Sequence, residues 1–231
     1  GLPLTGDVDN SVLGSPGAYN NSFTVASAVN TGITAHYFSV GGQPFPFTDT
    51  ATTPFQTLAG NEEAREFPYI FLGDPANADD TAKYGDASAY TAVVREAVRG
   101  KVVFVSRGGG VSFLDKQAAA KSAGATALIV YNNVAGEFGM SLDDECTLPA
   151  VSITKANGDT IFYSSQKQDD GTYTGTLSVH RDVTTMENVG SGMSDFSSWG
   201  VPSDLVLKPE ITAPGGNIYS TLTDGGYGLM S

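Results

Sequence analysis

The stretch Gly100–Asn132, GKVVFVSRGGGVSFLDKQAAAKSAGATALIVYN, decides the fold. Val102–Val105 is a β-branched and aromatic run. It is too short for a helix and apolar enough for a strand buried on both faces, so a strand is predicted over Lys101–Ser106. Arg107-Gly108-Gly109-Gly110 then breaks the run. Ser112 stands where an N-cap belongs, with Asp115 as its acidic partner at the third helical position. Phe113–Ala123 is rich in Ala, Leu, Lys and Gln, which favour helix, and Gly124 is a natural C-terminal stop. Ala127–Tyr131 is a second apolar strand. Strand, crossover helix and strand imply two parallel neighbours with a right-handed connection.

Outward from this unit, the chain alternates short apolar runs with turns. On the N-terminal side, Ser22–Ala28 alternates and reads as a strand. Between Ala35 and Leu58, strand-like pieces are expected at HYFSV (36–40), PFPF (44–47) and FQTL (55–58), separated by Gly and Pro. Tyr69–Leu72 is a further buried strand, closed by the turn Gly73-Asp74-Pro75, and a short helix is expected around Tyr90–Val98. On the C-terminal side, Val134–Thr147 is a loop and Leu148–Ile153 a strand with Pro at its edge. A short helix follows over Ala156–Ser164, and Thr172–His180 alternates as a half-buried antiparallel strand. Beyond residue 190 the composition shifts to loops and short strands.

Composition limits the function. The chain has 231 residues, enough for one large domain or two modest ones, and 40% apolar residues, enough for a core. No run approaches the ~18 apolar residues of a membrane span, so membrane insertion is not expected. A formal charge of −13 argues against nucleic acid and anionic membrane surfaces as partners. The start, GLPLTGDVDN, lacks the basic end and apolar block of a signal peptide, and is expected to be an internal cut from a longer precursor. Cys146 is the lone cysteine, so no internal disulfide and no CxxC pair can form; it is expected to be a small buried hydrophobe.

Several residues invite chemistry and are set aside. Asp7 and Asp9 with Asn10 suggest a calcium loop, yet two carboxylates without the rest of the loop read better as a solvated turn. Asp143-Asp144-Glu145 is likewise read as a solvated loop, so no metal site is assigned. The Arg107–Gly110 turn before a helix is an anion site in principle, but neither GK[ST] nor GxGxxG follows, and turn geometry explains it better. His36 and His180 lie in strand-like contexts and are expected to be structural rather than catalytic.

Two resemblances cover nearly the whole chain. Gly100-Lys101, Arg107-Gly108, Ser112-Phe113, Lys116, Ala123-Gly124-Ala125, Ile129 and Tyr131-Asn132 resemble the core of the protease-associated (PA) domain, a non-catalytic module inserted in several peptidase families. MSDFSSWG (193–200), LKPEITAPGGNIYSTL (207–222) and GYGLMS (226–231) resemble the segment of subtilisin-like serine proteases that leads to the nucleophile. GSPGAYNNSFTVASA (14–28) resembles the stretch that follows that family's oxyanion-hole Asn. The order is that of the lactocepin-type cell-envelope proteinases. The implied fold is α/β, a β-rich barrel or sandwich with flanking helices inserted between strips of a subtilisin-like catalytic domain. The implied division is 1–30 for the first strip, 31–185 for the PA domain and 186–231 for the second strip.

The resemblance also implies what the chain holds of the site. No Asp, His, Ser or oxyanion Asn of the triad maps onto it, so no catalytic residue is assigned and Ser231 is not the nucleophile. Substrate contacts are expected at Gly14, matching the glycine at the base of the S1 pocket, and at Phe196, matching an aromatic residue on the S1′ side. Protein or peptide substrates are the implied partners and the extracellular space or cell wall the implied location. No cofactor is expected, and calcium in the parent protein stays open. A stand-alone peptide-binding module is the rival reading, against which DFSSWG and KPEITAPGG count, and a spacer without ligand stays open.

Overall fold

The computed structural model describes residues 16–30, 32–169, 171–187, 192–194, 196–198, 206–216, 218–221, 223 and 226–230. Its strands are β1 (Val25–Val29), β2 (Gly32–Val40), β3 (Gln43–Pro46), β4 (Thr48–Asp49), β5 (Ala64–Phe71) and β6 (Val102–Ser106). They continue with β7 (Ala127–Tyr131), β8 (Ala150–Ile153), β9 (Gln166–Lys167), β10 (Tyr173–Glu187), β11 (Ile211–Gly216), β12 (Ile218–Thr221) and β13 (Tyr227–Met230). The α-helices are α1 (Ala92–Val98), α2 (Phe113–Ser122) and α3 (Lys155–Ser164). Two compact units result, His36–Val183 and a second drawn from the described residues of Gly1–Ala35 and Thr184–Ser231.

The larger unit is built on a mixed sheet of order β3-β2-β10-β5-β6-β7-β8-β4, with β9 paired to β10. Strands β5, β6, β7 and β8 run parallel, and β6 meets β7 in register from Val102↔Ala127 to Ser106↔Tyr131. Strands β3 and β4 stand at opposite ends of this path, yet only Phe47 separates them in sequence. A flat sheet cannot satisfy both conditions. The sheet curls until its two ends meet, which gives a β-barrel-like wall with helices outside the parallel strands.

The period of two sorts side chains onto the two faces of that wall. One face carries Val102 and Phe104, Ala127, Ile129 and Tyr131, Tyr69 and Phe71, Leu177 and Val179. It closes over Phe38, Phe45, Phe47 and Phe55 from the entry strands, and over Ile161 and Phe162 of α3. The other face carries Ile70, Val103, Val105, Leu128 and Val130, against which Val98 of α1 and Ala119, Ala120 and Ala123 of α2 pack. Phe104 sits at the middle of the aromatic face, stacked on Phe71 at 4.5 Å with Tyr69 edge-on at 5.2 Å.

Local chemistry sets the helix ends. The Ser112 hydroxyl accepts the Asp115 N–H at 3.1 Å and donates to the Asp115 carboxylate at 2.7 Å. The acid thus locks the cap rather than reaching back to the Ser112 amide. Gly124 takes φ +82, the left-handed stop a side chain disfavours. Thr154 caps α3 by accepting the Asn157 N–H.

Two expectations need correction. FQTL is not a strand; Phe55–Ala59 forms a 3₁₀ turn. The Asp49 carboxylate accepts the Ala51 and Phe55 N–H groups at 3.0 and 2.7 Å, which coils the chain before it can extend. The last long strand runs to Glu187, well past His180.

Phe104→Ala empties a fully buried point of the aromatic face. A loss of ~3–5 kcal/mol is expected, read as a lower urea midpoint with an unchanged slope.

Candidate functional site

The carboxyl ends of parallel strands are where open α/β sheets place ligands. Here β6 feeds the turn Arg107–Gly110, and β7 feeds the loop that begins at Asn132. Arg107 donates to Asn132 Oδ1 at 3.4 Å and lies 5.0 Å over the Phe138 ring. Asn132 holds its own loop by donating to the Gly136 carbonyl at 2.9 Å and accepting the Asn133 N–H at 3.0 Å. The glycine turn is tight, with φ +103, +70 and +70 at Gly108, Gly109 and Gly110. The space over Gly109 is filled: a Cβ there would lie 2.3 Å from the Tyr84 ring, whereas one on Gly110 would meet nothing within 4 Å. The positive φ angles give these glycines a role in the turn.

Lys116 is the group that the sequence did not single out for a role. It lies on α2 with no exposed surface. Its ammonium donates to the Tyr84 carbonyl and, at 3.2 Å, to the Gly108 carbonyl. It therefore clamps the 81–84 turn to the glycine turn. Burial pulls its pKa down to about 8, against the opposing pull of Asp86. The signal was present in the sequence: Lys116 shares a helical face with Ala119, Ala120 and Ala123, where a lysine on an apolar stripe needs partners.

Among the described residues, neither histidine is joined to a carboxylate and a nucleophile in one set. His180 Nε2 meets the Ser39 hydroxyl at 2.9 Å, and the ring stacks on Tyr37 at 4.2 Å. His36 stacks on Phe47 at 6.4 Å, and its buried Nδ1 has no hydrogen-bond partner. Burial pushes both imidazoles below their ordinary value. Among the described residues, no carboxylate pairs with either ring and no group of three His, Cys, Asp or Glu side chains is placed to hold a metal. Cys146 is buried, and burial raises its thiol pKa.

In the second unit β1 and β11 pair in parallel from Val25↔Ile211 onward, joining segments some 186 residues apart in sequence. Residues 192–194 run along β1: the Val29 N–H donates to Gly192 O and the Ser194 N–H to Ser27 O, both at 2.9 Å. Ser197 Oγ accepts the Ser27 N–H at 2.9 Å, and the Ser27 and Ser194 hydroxyls meet at 2.8 Å. Lys208, fully covered, donates to Ser22 O and the Glu210 carboxylate, whose other oxygen accepts the Thr24 N–H at 2.7 Å. Phe196 is 60% exposed on this scaffold, its ring edge 3.9 Å from the Cβ position of Gly216. Gly14 lies outside the described residues.

Residues 61–161 match the PA domain family, and the larger unit is a PA domain in a mixed α/β fold. Over 230 residues the chain is 32% identical to PII-type proteinase of Lacticaseibacillus paracasei, covering 96% of this chain and 11% of that one. Over 232 residues it is 30% identical to C5a peptidase of Streptococcus pyogenes serotype M18, covering 100% of this chain and 18% of that one. Among solved structures, an aminopeptidase from Aneurinibacillus sp. strain AM-1 superposes with a TM-score of 0.45 at 21% identity, over 71% of this chain and 36% of that one. The chain spans less than a fifth of the length of the proteinases it aligns with. It is a PA-domain region homologous to these proteinases, in agreement with the subtilisin-like resemblance of its two flanks.

Lys116 gives a pH signature. Its folded pKa of about 8 lies below the ~10.4 of an unfolded lysine, so the unfolded state binds more protons between the two values. Stability is therefore expected to rise as pH climbs through that window and to be flat below it. Lys116→Met should remove the rise, checked by urea unfolding of both proteins from pH 7 to 11.

Proposed function

We propose that this chain is the PA-bearing part of an extracellular subtilisin-like serine endopeptidase and that the PA domain governs which protein substrates reach the cleft. The observation that carries the reading is the β1–β11 pair. Strands from the two ends of the chain close one parallel ladder, as expected of one domain interrupted by an insertion. On this reading 1–30 and 186–231 are strips of the catalytic domain and 31–185 is the insert.

The parent would hydrolyse peptide bonds by acyl transfer. A serine attacks the carbonyl, a histidine takes and returns its proton, an aspartate orients the histidine, and donors stabilise the oxyanion. This chemistry needs no cofactor. The four groups lie outside this chain, which is inert alone. Within it, the exposed ring of Phe196 matches by resemblance an aromatic residue on the S1′ side, and Gly14 matches the glycine at the base of the S1 pocket. Among the described residues no helix is long and apolar enough to cross a membrane, and the acidity of the chain suits an extracellular surface.

In the full-length parent, replacing residues 36–183 with a two-residue turn should leave cleavage of short peptides within about threefold. Cutting of folded proteins should change at least tenfold or shift in position. Equal rates and equal fragments on both substrate classes would overturn the gating role. Phe196→Ala in the parent should redistribute cleavage among prime-side residues without loss of folding; an unchanged cleavage profile would remove Phe196 from the site.

A further inference from the structure

A cavity of 380 Å³ opens where the β2–β3 hairpin, the second half of α3 and the strands β9 and β10 come together. Its volume lies within the ~300–1,000 Å³ of ligand sites. The buried rings of Phe45 and Tyr69 belong to its lining. Gly175 gives the Tyr69 ring room, since a Cβ there would lie 2.4 Å from the Tyr69 oxygen. No lining residue is charged, although the chain carries 12 Lys and Arg and 25 Asp and Glu residues.

The helix contributes acceptors. Thr160 O–H donates to the Ala156 carbonyl at 2.9 Å, and Ser164 O–H to the Ile161 carbonyl at 2.8 Å. A hydroxyl has one proton and two lone pairs. With their protons committed to the helix, these two exposed lining residues offer oxygens as acceptors. Tyr69 is tied down by the same helix. Ser165 O–H donates to the Ile161 carbonyl at 2.8 Å, so in its 2.9 Å contact with the Tyr69 hydroxyl the tyrosine is the donor.

The strands contribute donors. Gln43 of β3 and Gln166 of β9 line the cavity and are exposed. Among the described residues, neither side-chain amide has a hydrogen-bond partner, and each brings two N–H donors besides its carbonyl. Thr174 of β10 enters its 2.9 Å bond with the Gln168 amide as the acceptor and keeps its own O–H.

We propose that this cavity binds a neutral pyranose sugar. Acceptor oxygens from one helix and donors from three strands line a single uncharged space. Every sugar hydroxyl both donates and accepts, and a pyranose ring carries several of them in different directions. Its protons meet Thr160 and Ser164 while its oxygens accept from Gln43, Gln166 and Thr174, and its C–H groups cover Val40 and Phe45. One amide of a peptide, with a single carbonyl, leaves most of these groups unmatched. An ion or a charged sugar finds no countercharge. An apolar ligand strips water from the glutamine amides and returns no hydrogen bond. The inference goes beyond the protease reading and does not rest on it, because it depends only on side chains of one unit.

The test is an NMR titration of the whole chain with methyl glucopyranoside, methyl galactopyranoside and N-acetylglucosamine. At least one of them should move the side-chain NH₂ signals of Gln43 and Gln166 and the backbone amides of Gly175 and Thr176, with saturation in the millimolar range. Two variants decide the site. Thr160→Trp fills the cavity from an exposed helical position and should weaken binding at least tenfold. Gln43→Ala with Gln166→Ala removes exposed donors only and should weaken it at least threefold; if Thr160→Trp does not fold, this pair decides alone. Unmoved signals at 50 mM of all three sugars, shifts confined to other residues, or full affinity in the variants would each overturn the proposal. Glucuronate or glucosamine binding as well as the neutral sugars would overturn its stated chemistry. Acetyl-Gly-Gln-Gly-amide binding more tightly than every sugar would reassign the cavity to polypeptide and overturn it as well.

Discussion

The link through Phe47 is the constraint on which the PA domain depends. The strands on either side of it end the sheet at opposite edges, so the chain can connect them only if the wall curls. Curling creates a concave face that must be filled, and the fill is aromatic: Phe38, Phe45, Phe47, Phe55, Phe104 and Tyr69 meet there. Large rings suit the task, since each buries a wide apolar area with few rotatable bonds to freeze. Helices α1 and α2 then have the convex face of the parallel strands to cover, while α3 packs on the aromatic face. That explains why small residues, Ala119, Ala120 and Ala123, suffice on α2.

Much of this was legible because local signals agreed with the fold. The run Val102–Val105, the Ser112 cap, the Gly124 stop and the run Ala127–Tyr131 each specify an element without outside help, and those elements lie where they were expected. FQTL failed because its conformation is imposed from a distance: the Asp49 carboxylate that coils it is held on β4, which pairs with β8 about a hundred residues later. The second half of β10 was invisible for another reason. Positions 181–187 are exposed or half-buried on both faces, so no alternation marks them as strand. Of the site, the sequence pattern placed the family of the flanks, whereas the Lys116 clamp is a property of tertiary pairing.

The two units are knit differently. The smaller one is knit by main-chain ladders and by serine hydroxyls along β1, an arrangement that carries Phe196 on a rigid support while leaving its ring exposed. The larger one keeps its carboxyl-end loops occupied by their own contacts, Arg107 with Asn132 and Lys116 with Tyr84.

The ends of the curled sheet carry a further consequence, for solubility. Strand β3 includes Pro44 and Pro46, which cannot donate to an incoming strand, and β4 is only two residues long. Both outer edges are thus poor templates for fibril growth.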